Sequence, residues 1–176
     1  MKKKYKVIFA DLDGTLIETL SGETFPKGIW DMKIKFDVLD KIKDIRPFAL
    51  LIVTNQGGIE KGFVDRRNFE FKMEYLRRSI SEYAHVFVEY SYCSSNDKSN
   101  GYRKPNIGML DSLLTRFRKK FASMHTYSDP ELIFNEDCLM IGDASGKDGQ
   151  WSDVDKKTAE NFGIDYMDVN DFVSAQ

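Results

Sequence analysis

The run Val7-Ile8-Phe9-Ala10-Asp11-Leu12-Asp13-Gly14-Thr15 constrains the fold more than any other stretch of this chain. Four apolar residues in succession read as a strand buried on both faces, which is the pattern of a sheet covered on either side. They stop abruptly at two carboxylates and a glycine. Side chains alternate along a strand, so Asp11 and Asp13 share a direction at its carboxyl end. Gly14 then allows a turn that a side chain would obstruct. Two acids this close repel each other unless a cation or a shared proton relieves them. An Asp-Gly pair also serves as plain turn punctuation, so the run alone leaves both readings open.

Three further junctions of the same kind follow. Thr54-Asn55-Gln56-Gly57-Gly58 comes after the apolar run 48–53, Arg103-Lys104-Pro105 precedes a helical pattern, and Gly142-Asp143 follows the apolar run 139–141. In this order the four resemble the motifs of the haloacid dehalogenase superfamily of phosphatases.

The intervening segments alternate between strand and helix patterns. Ile34, Val38, Leu39 and Ile42 have helical spacing, as do Phe69, Met73, Leu76, Ile80 and Tyr83. Residues 85–90 are β-branched and aromatic and read as a strand that His85 begins. Pro105 suits the first turn of a helix continued by Met109, Leu110, Leu113, Leu114, Phe117 and Phe121. Residues 138–141 form a strand, Ala159 and Phe162 mark a short helix, and 164–167 a last strand. Such alternation predicts an α/β fold, a doubly wound parallel sheet with its active site at the strands' carboxyl ends. Residues 18–26, centred on Ser21-Gly22, read as a hairpin, and 91–101 as a polar loop carrying Cys93. Neither is long enough to fold as a separate cap domain. A single phosphatase domain over 1–176 is expected.

The 176 residues are 41% hydrophobic and 31% charged, with a net charge of −2, so a whole-molecule attraction to nucleic acid is excluded. Any such contact needs a local patch. Arg66-Arg67, Arg77-Arg78 and Arg116 with Arg118-Lys119-Lys120 are the basic clusters, and Arg66 and Arg67 stand out because they follow the Thr54 loop. No apolar run is long enough to span a bilayer. A cytoplasmic monomer is expected, or a nuclear one in a eukaryote. Cys93, Cys138, His85 and His125 do not form a disulfide framework or a zinc pattern, and Cys138 reads as a small buried hydrophobe.

A phosphate ester repels a carboxylate nucleophile: two unit charges 4 Å apart interact by roughly 4 kcal/mol at an effective dielectric of 20. Positive charge is therefore required, and Mg²⁺ with oxygen ligands supplies it. With the superfamily resemblance, Asp11 is the expected nucleophile and Asp13 the general acid and base. Mg²⁺ is expected on Asp11, the backbone carbonyl of Asp13, and Asp143. Thr54 and Lys104 hold the transferring oxygens, with Asn55, Gln56, Gly57, Arg66, Arg67 and Arg103 as further substrate contacts. The remaining acid of the last motif is Asp148 or Asp155. The segment from Asp155 to Gly163 looks like the helix that follows that acid in relatives, which favours Asp155, although Asp also caps helices.

A narrower resemblance is carried by Ser21-Gly22 with Phe25-Pro26, Thr54-Asn55-Gln56-Gly57-Gly58-Ile59, Tyr102-Arg103-Lys104-Pro105 with Gly108-Met109, and Gly142-Asp143-Ala144 with Ser152 and Asp155. From about Lys6 to Phe172 the chain is similar to the polynucleotide kinase 3′-phosphatase family. That resemblance implies a Mg²⁺-dependent 3′-phosphatase of DNA ends working through a phospho-aspartate. No Gly-x-x-x-x-Gly-Lys-Ser/Thr loop is present, so a stand-alone phosphatase is expected. Trp151, in a stretch that departs from the family's pattern, either stacks on a base or packs its loop down. A small-molecule phosphatase of the same fold, acting on histidinol phosphate or a sugar phosphate, is the alternative. The Cys/His zinc loop usual in such relatives is missing, since Cys93 stands alone. A non-catalytic binder of phosphorylated ends would have no use for Asp13.

Overall fold

The computed structural model describes residues 4–23, 26–124 and 133–175. Phe25 and His125 lie outside them. Five parallel strands form the central sheet in the order β5-β4-β1-β6-β7, where β1 is Val7–Ala10, β4 Ala49–Asn55, β5 Phe87–Cys93, β6 Cys138–Gly142 and β7 Asp165–Asp168. Two short strands, β2 (Ile17–Glu18) and β3 (Lys33–Ile34), pair antiparallel beside it.

Strand periodicity sorts the core into two layers. Ile8, Ala10, Leu50, Ile52, Leu139 and Ile141 face one way, onto Val38, Leu39 and Ile42 of α1 (Phe36–Ile45), Phe69, Met73, Leu76 and Ile80 of α3 (Arg66–Ala84), and Val169 and Phe172 of α6 (Val169–Ser174). Val7, Phe9, Leu51, Val53, Cys138 and Met140 face the other way, onto Met109, Leu110, Leu113, Leu114 and Phe117 of α4 (Gly108–Met124) and Ala159 of α5 (Val154–Phe162). Helices on both faces explain why β1, β6 and β4 as far as Val53 are apolar without alternation.

β1 pairs with β4 on one side and β6 on the other, with Ala10 opposite both Ile52 and Ile141. The chain runs outward from β1 in both directions, so the crevice lies beyond its carboxyl end. Asp11 is the next residue, and its amide donates to the Ile141 carbonyl at 3.1 Å.

Several local expectations shift. Ile34 does not begin α1: it pairs with Ile17 in the β2–β3 ladder, and the helix starts two residues later. The hairpin is accordingly wider than 18–26, and Asp31 organises its loop by accepting from Ser21 N and Oγ, both at 2.7 Å, and Lys27 N at 2.8 Å. His85 ends α3 in the left-handed region (φ 53°) instead of opening β5, the usual geometry for stopping a helix. Cys93 is not a loop thiol: it closes β5 and is buried. Pro105, joined to Lys104 by a cis peptide, lies in turns before α4. That helix begins at Gly108, whose α-carbon sits where a side chain would collide with the Gly101 carbonyl. The short α2 (Gly57–Glu60) and α6 carry too few residues for a periodic signal. Among the described residues no helix is long and apolar enough to cross a membrane.

Candidate active site

Every loop that forms the site leaves the carboxyl end of a sheet strand. Asp11 follows β1, Thr54 lies near the end of β4, Asp143 follows β6, and the loop after β5 delivers Lys104. Asp155 comes from the first turn of α5 and is 1% exposed. Asp148, by contrast, is exposed and stands outside the acid cluster.

Lys104 is the electrostatic centre. Its Nζ donates to Asp11 Oδ1 at 2.5 Å and to Asp155 Oδ1 at 2.6 Å, all three side chains being buried. Burial pulls its ammonium down, but the two carboxylates outweigh this and hold it charged well above the ordinary lysine range. For Asp11, burial pushes the carboxyl well up; Lys104 opposes this, while Asp155 and Asp13 reinforce it. Asp143 is raised by burial and by Asp155. One ammonium does not neutralise the group, which leaves a net demand for positive charge.

Asp11, Asp143 and Asp155 each present an oxygen within 4.8 Å of the others. The space they share exists because two residues lack side chains. A Cβ on Gly14, at φ 80°, would overlap the Asp143 carboxylate, and one on Gly142 would overlap that of Asp155. An all-oxygen, net-negative pocket suits a hard divalent cation such as Mg²⁺. Asp155 has both oxygens engaged, one by Lys104 and the other by Ala144 N at 3.2 Å, so it fits a role behind Asp11 and Asp143, orienting Lys104.

Asp13 differs from Asp11 in every respect. Its carboxylate is exposed and points into the cleft, where it accepts from Gln56 Nε2 at 2.7 Å. The same Nε2 lies 3.0 Å from Thr54 Oγ1, so Gln56 spans the two. Asn55 is a brace: Nδ2 donates to the Lys104 carbonyl at 3.1 Å, and Oδ1 accepts the Lys104 amide at 2.9 Å. Gly57 supplies a backbone carbonyl to Asn96 Nδ2 at 2.8 Å and has no room for a side chain against that residue.

Two clefts meet at Gly14 and Asp143. The larger, about 870 Å³, is lined by Asp13, Asn55, Gln56, Gly57, Lys61 and Phe63, among others. The smaller, about 360 Å³, contains Lys35 and Trp151 but not Asp13. Trp151 does not pack its loop down; it is fully exposed. Gln150 holds that loop instead, accepting from Ser145 N at 2.8 Å and donating to Asp168 Oδ2 at 2.7 Å.

Arg66, Arg67 and Arg103 line neither cleft. Arg66 donates to Tyr92 Oη and Ser94 Oγ at 3.2 and 3.3 Å, Arg67 is exposed, and Arg103 donates to the Ser95 carbonyl at 2.7 Å, tying down the loop before Lys104. Sequence reading missed Lys35, Lys61, Phe63 and Asn96, none of which belongs to a chemical motif. Lys35 Nζ donates to the Gly14 carbonyl at 3.0 Å, fixing the turn after the acidic pair.

A family model described as polynucleotide kinase 3 phosphatase matches residues 6–172. The chain belongs to that family. It is 31% identical over 175 residues to the bifunctional polynucleotide phosphatase/kinase of Schizosaccharomyces pombe, covering 98% of this chain but 38% of that protein. The chain thus spans well under half of that relative's length. A histidine biosynthesis bifunctional protein of Legionella pneumophila (strain Lens) is 28% identical over 180 residues, covering 94% of this chain and 41% of its own. Among solved structures, D,D-heptose 1,7-bisphosphate phosphatase from B. bronchiseptica, complexed with magnesium and phosphate, superposes with a TM-score of 0.65 at 18% identity, over 92% of this chain and 78% of that one. This family of phosphatases is thus represented here by an α/β fold shared with haloacid dehalogenase-like phosphatases of known structure.

Proposed function

We propose that the protein removes 3′-phosphates from polynucleotide ends, DNA ends in the first instance, through a phospho-aspartate on Asp11. The observation that carries this reading is the contrast between two neighbouring carboxylates. Asp11 is buried against Lys104, whereas Asp13 stands in the open cleft on Gln56. The Lys104 ammonium favours the ionised, attacking form of Asp11, and the open cleft gives Asp13 access to a leaving oxygen and to water.

An Asp11 oxygen attacks phosphorus in line, and the bond from phosphorus to the 3′ oxygen breaks as Asp13 gives that oxygen its proton. Water then attacks the same phosphorus, the phosphorus–Asp11 bond breaks, and Asp13 takes the water's proton. Thr54 and Lys104 stabilise the phosphoryl oxygens. Asp11 and Asp143, with the Asp13 carbonyl, would hold Mg²⁺, which when bound offsets the charge between the phosphate and Asp11.

The family match and the open cleft support a polymeric substrate. Glu18 and Glu23 line that cleft and favour the second reading, a small phosphorylated metabolite, because they repel a polyanion. Each is countered by a lysine: Lys33 lies 2.9 Å from Glu18, and Lys27 3.5 Å from Glu23. One panel separates the readings. Phosphate release is measured from a 3′-phosphorylated oligonucleotide, its 5′-phosphorylated isomer, a 3′-mononucleotide, histidinol phosphate and heptose 1,7-bisphosphate. The highest kcat/KM is expected for the first; preference for either metabolite would overturn the assignment.

A further inference from the structure

Asp13 distinguishes the two clefts. It lines the larger one and is absent from the smaller. A general acid must lie beside the leaving oxygen, so the nucleoside attached to that oxygen occupies the larger cleft. Trp151 stands at the other cleft. The exposed ring on the leaving-group side is Phe63, 81% exposed in the connection between α2 and α3.

Phe63 is not exposed because its loop is slack. Its amide donates to the Gly58 carbonyl at 2.9 Å, and the Val64 amide shares that acceptor at 3.2 Å. Gly62 N donates to the Ile59 carbonyl at 3.1 Å and makes the turn at φ 72°. Val64 packs against the core, and a Cβ on Gly58 would approach its side chain to 3.2 Å, so the bare backbone there admits Val64. The chain is thus anchored on both sides of a phenyl ring that it leaves in water. Lys61 lines the same cleft two residues earlier.

We infer that Phe63 is a stacking platform for the terminal base of the substrate, so that the enzyme favours a base-bearing 3′ end. This rests on the polynucleotide reading above. A fixed aromatic face beside an ammonium matches a nucleotide, which offers a flat π-surface and an anionic backbone. Every base has such a face, so this contact accepts all of them. A sugar bisphosphate has none, and neither does an abasic end.

Two oligonucleotides test this, identical except that the 3′-terminal phosphorylated nucleotide carries either a base or a tetrahydrofuran abasic residue. The wild-type protein should favour the base-bearing end by about 5- to 150-fold in kcat/KM, the range that corresponds to base–aromatic stacking, and mainly through KM. In Phe63→Ala that ratio should fall towards one, and in Phe63→Trp it should return, with circular dichroism confirming that both variants are folded. A wild-type ratio near one, or an undiminished ratio in Phe63→Ala, would overturn the platform while leaving the 3′-phosphatase reading intact. If neither oligonucleotide is turned over and heptose bisphosphate or histidinol phosphate is, the polynucleotide reading fails and the platform fails with it.

Discussion

Lys104 sits between Asp11 and Asp155 at 2.5 and 2.6 Å, and all three are buried. Lys104→Met therefore strands two carboxylates, a change that costs about 3–5 kcal/mol when a buried pair loses one partner. Urea unfolding without metal should show this loss, and adding Asp155→Asn to the same protein should recover part of it, because the two sites are in contact. Asp11→Asn should abolish phosphate release with Mg²⁺ present while leaving the fold intact, since an amide does not attack phosphorus. Asp13→Asn should slow kcat by about 10²–10⁴-fold, the usual worth of general acid–base help. Turnover near the wild-type rate in Asp11→Asn would remove Asp11 from the role assigned to it. At this scale the sequence was readable where chemistry fixes residue type, as at Asp11, Asp13 and Lys104. It was silent on Phe63 and Asn96, which their loops place at the larger cleft.

Among the elements, the loop before α4 shows how a motif residue can serve the frame. Asn55 belongs to the Thr54 motif and was expected to touch substrate, yet its amide makes both hydrogen bonds to the Lys104 backbone. A polar side chain in a motif does not announce which backbone it will meet. Asn55→Ala should lower kcat/KM by roughly 10-fold, the value of about one to two net hydrogen bonds, in a protein that remains folded. Steady-state kinetics with a chemical shift or crosslink report on Lys104 would separate this from general destabilisation. Strands β1, β4 and β6 and the long helices α3 and α4 were legible because each carries an apolar run or a repeated helical spacing. The ends were not. His85 stops α3 through a left-handed backbone, and Ile34 is taken by the β2–β3 ladder, where its partner is Ile17. Asp155 was distinguished from Asp148 by its helix, while the arginines singled out for adjacency to a motif line neither cleft.

For the whole molecule, an excess of buried negative charge would tie stability to any divalent cation held there. A ligand that binds only the folded state at 100 times its Kd adds about 2.7 kcal/mol. Mg²⁺ should accordingly raise the Tm of the wild-type protein, and Asp143→Ala should remove most of that rise; differential scanning calorimetry with and without EDTA measures both. Equal shifts in the two proteins would place the ion elsewhere. The position of β1 bears on durability as well. It is hydrogen-bonded to a neighbour on each side and carries Asp11 at its end. The amides of such a strand exchange with solvent through the largest openings of the molecule, whereas those of the Phe63 turn exchange through small ones. Deuterium should therefore enter residues 7–10 among the last. Heating should erode discrimination at the cleft's wall before it disturbs the nucleophile, so an enzyme close to its melting temperature would still cleave but would choose its substrates less well.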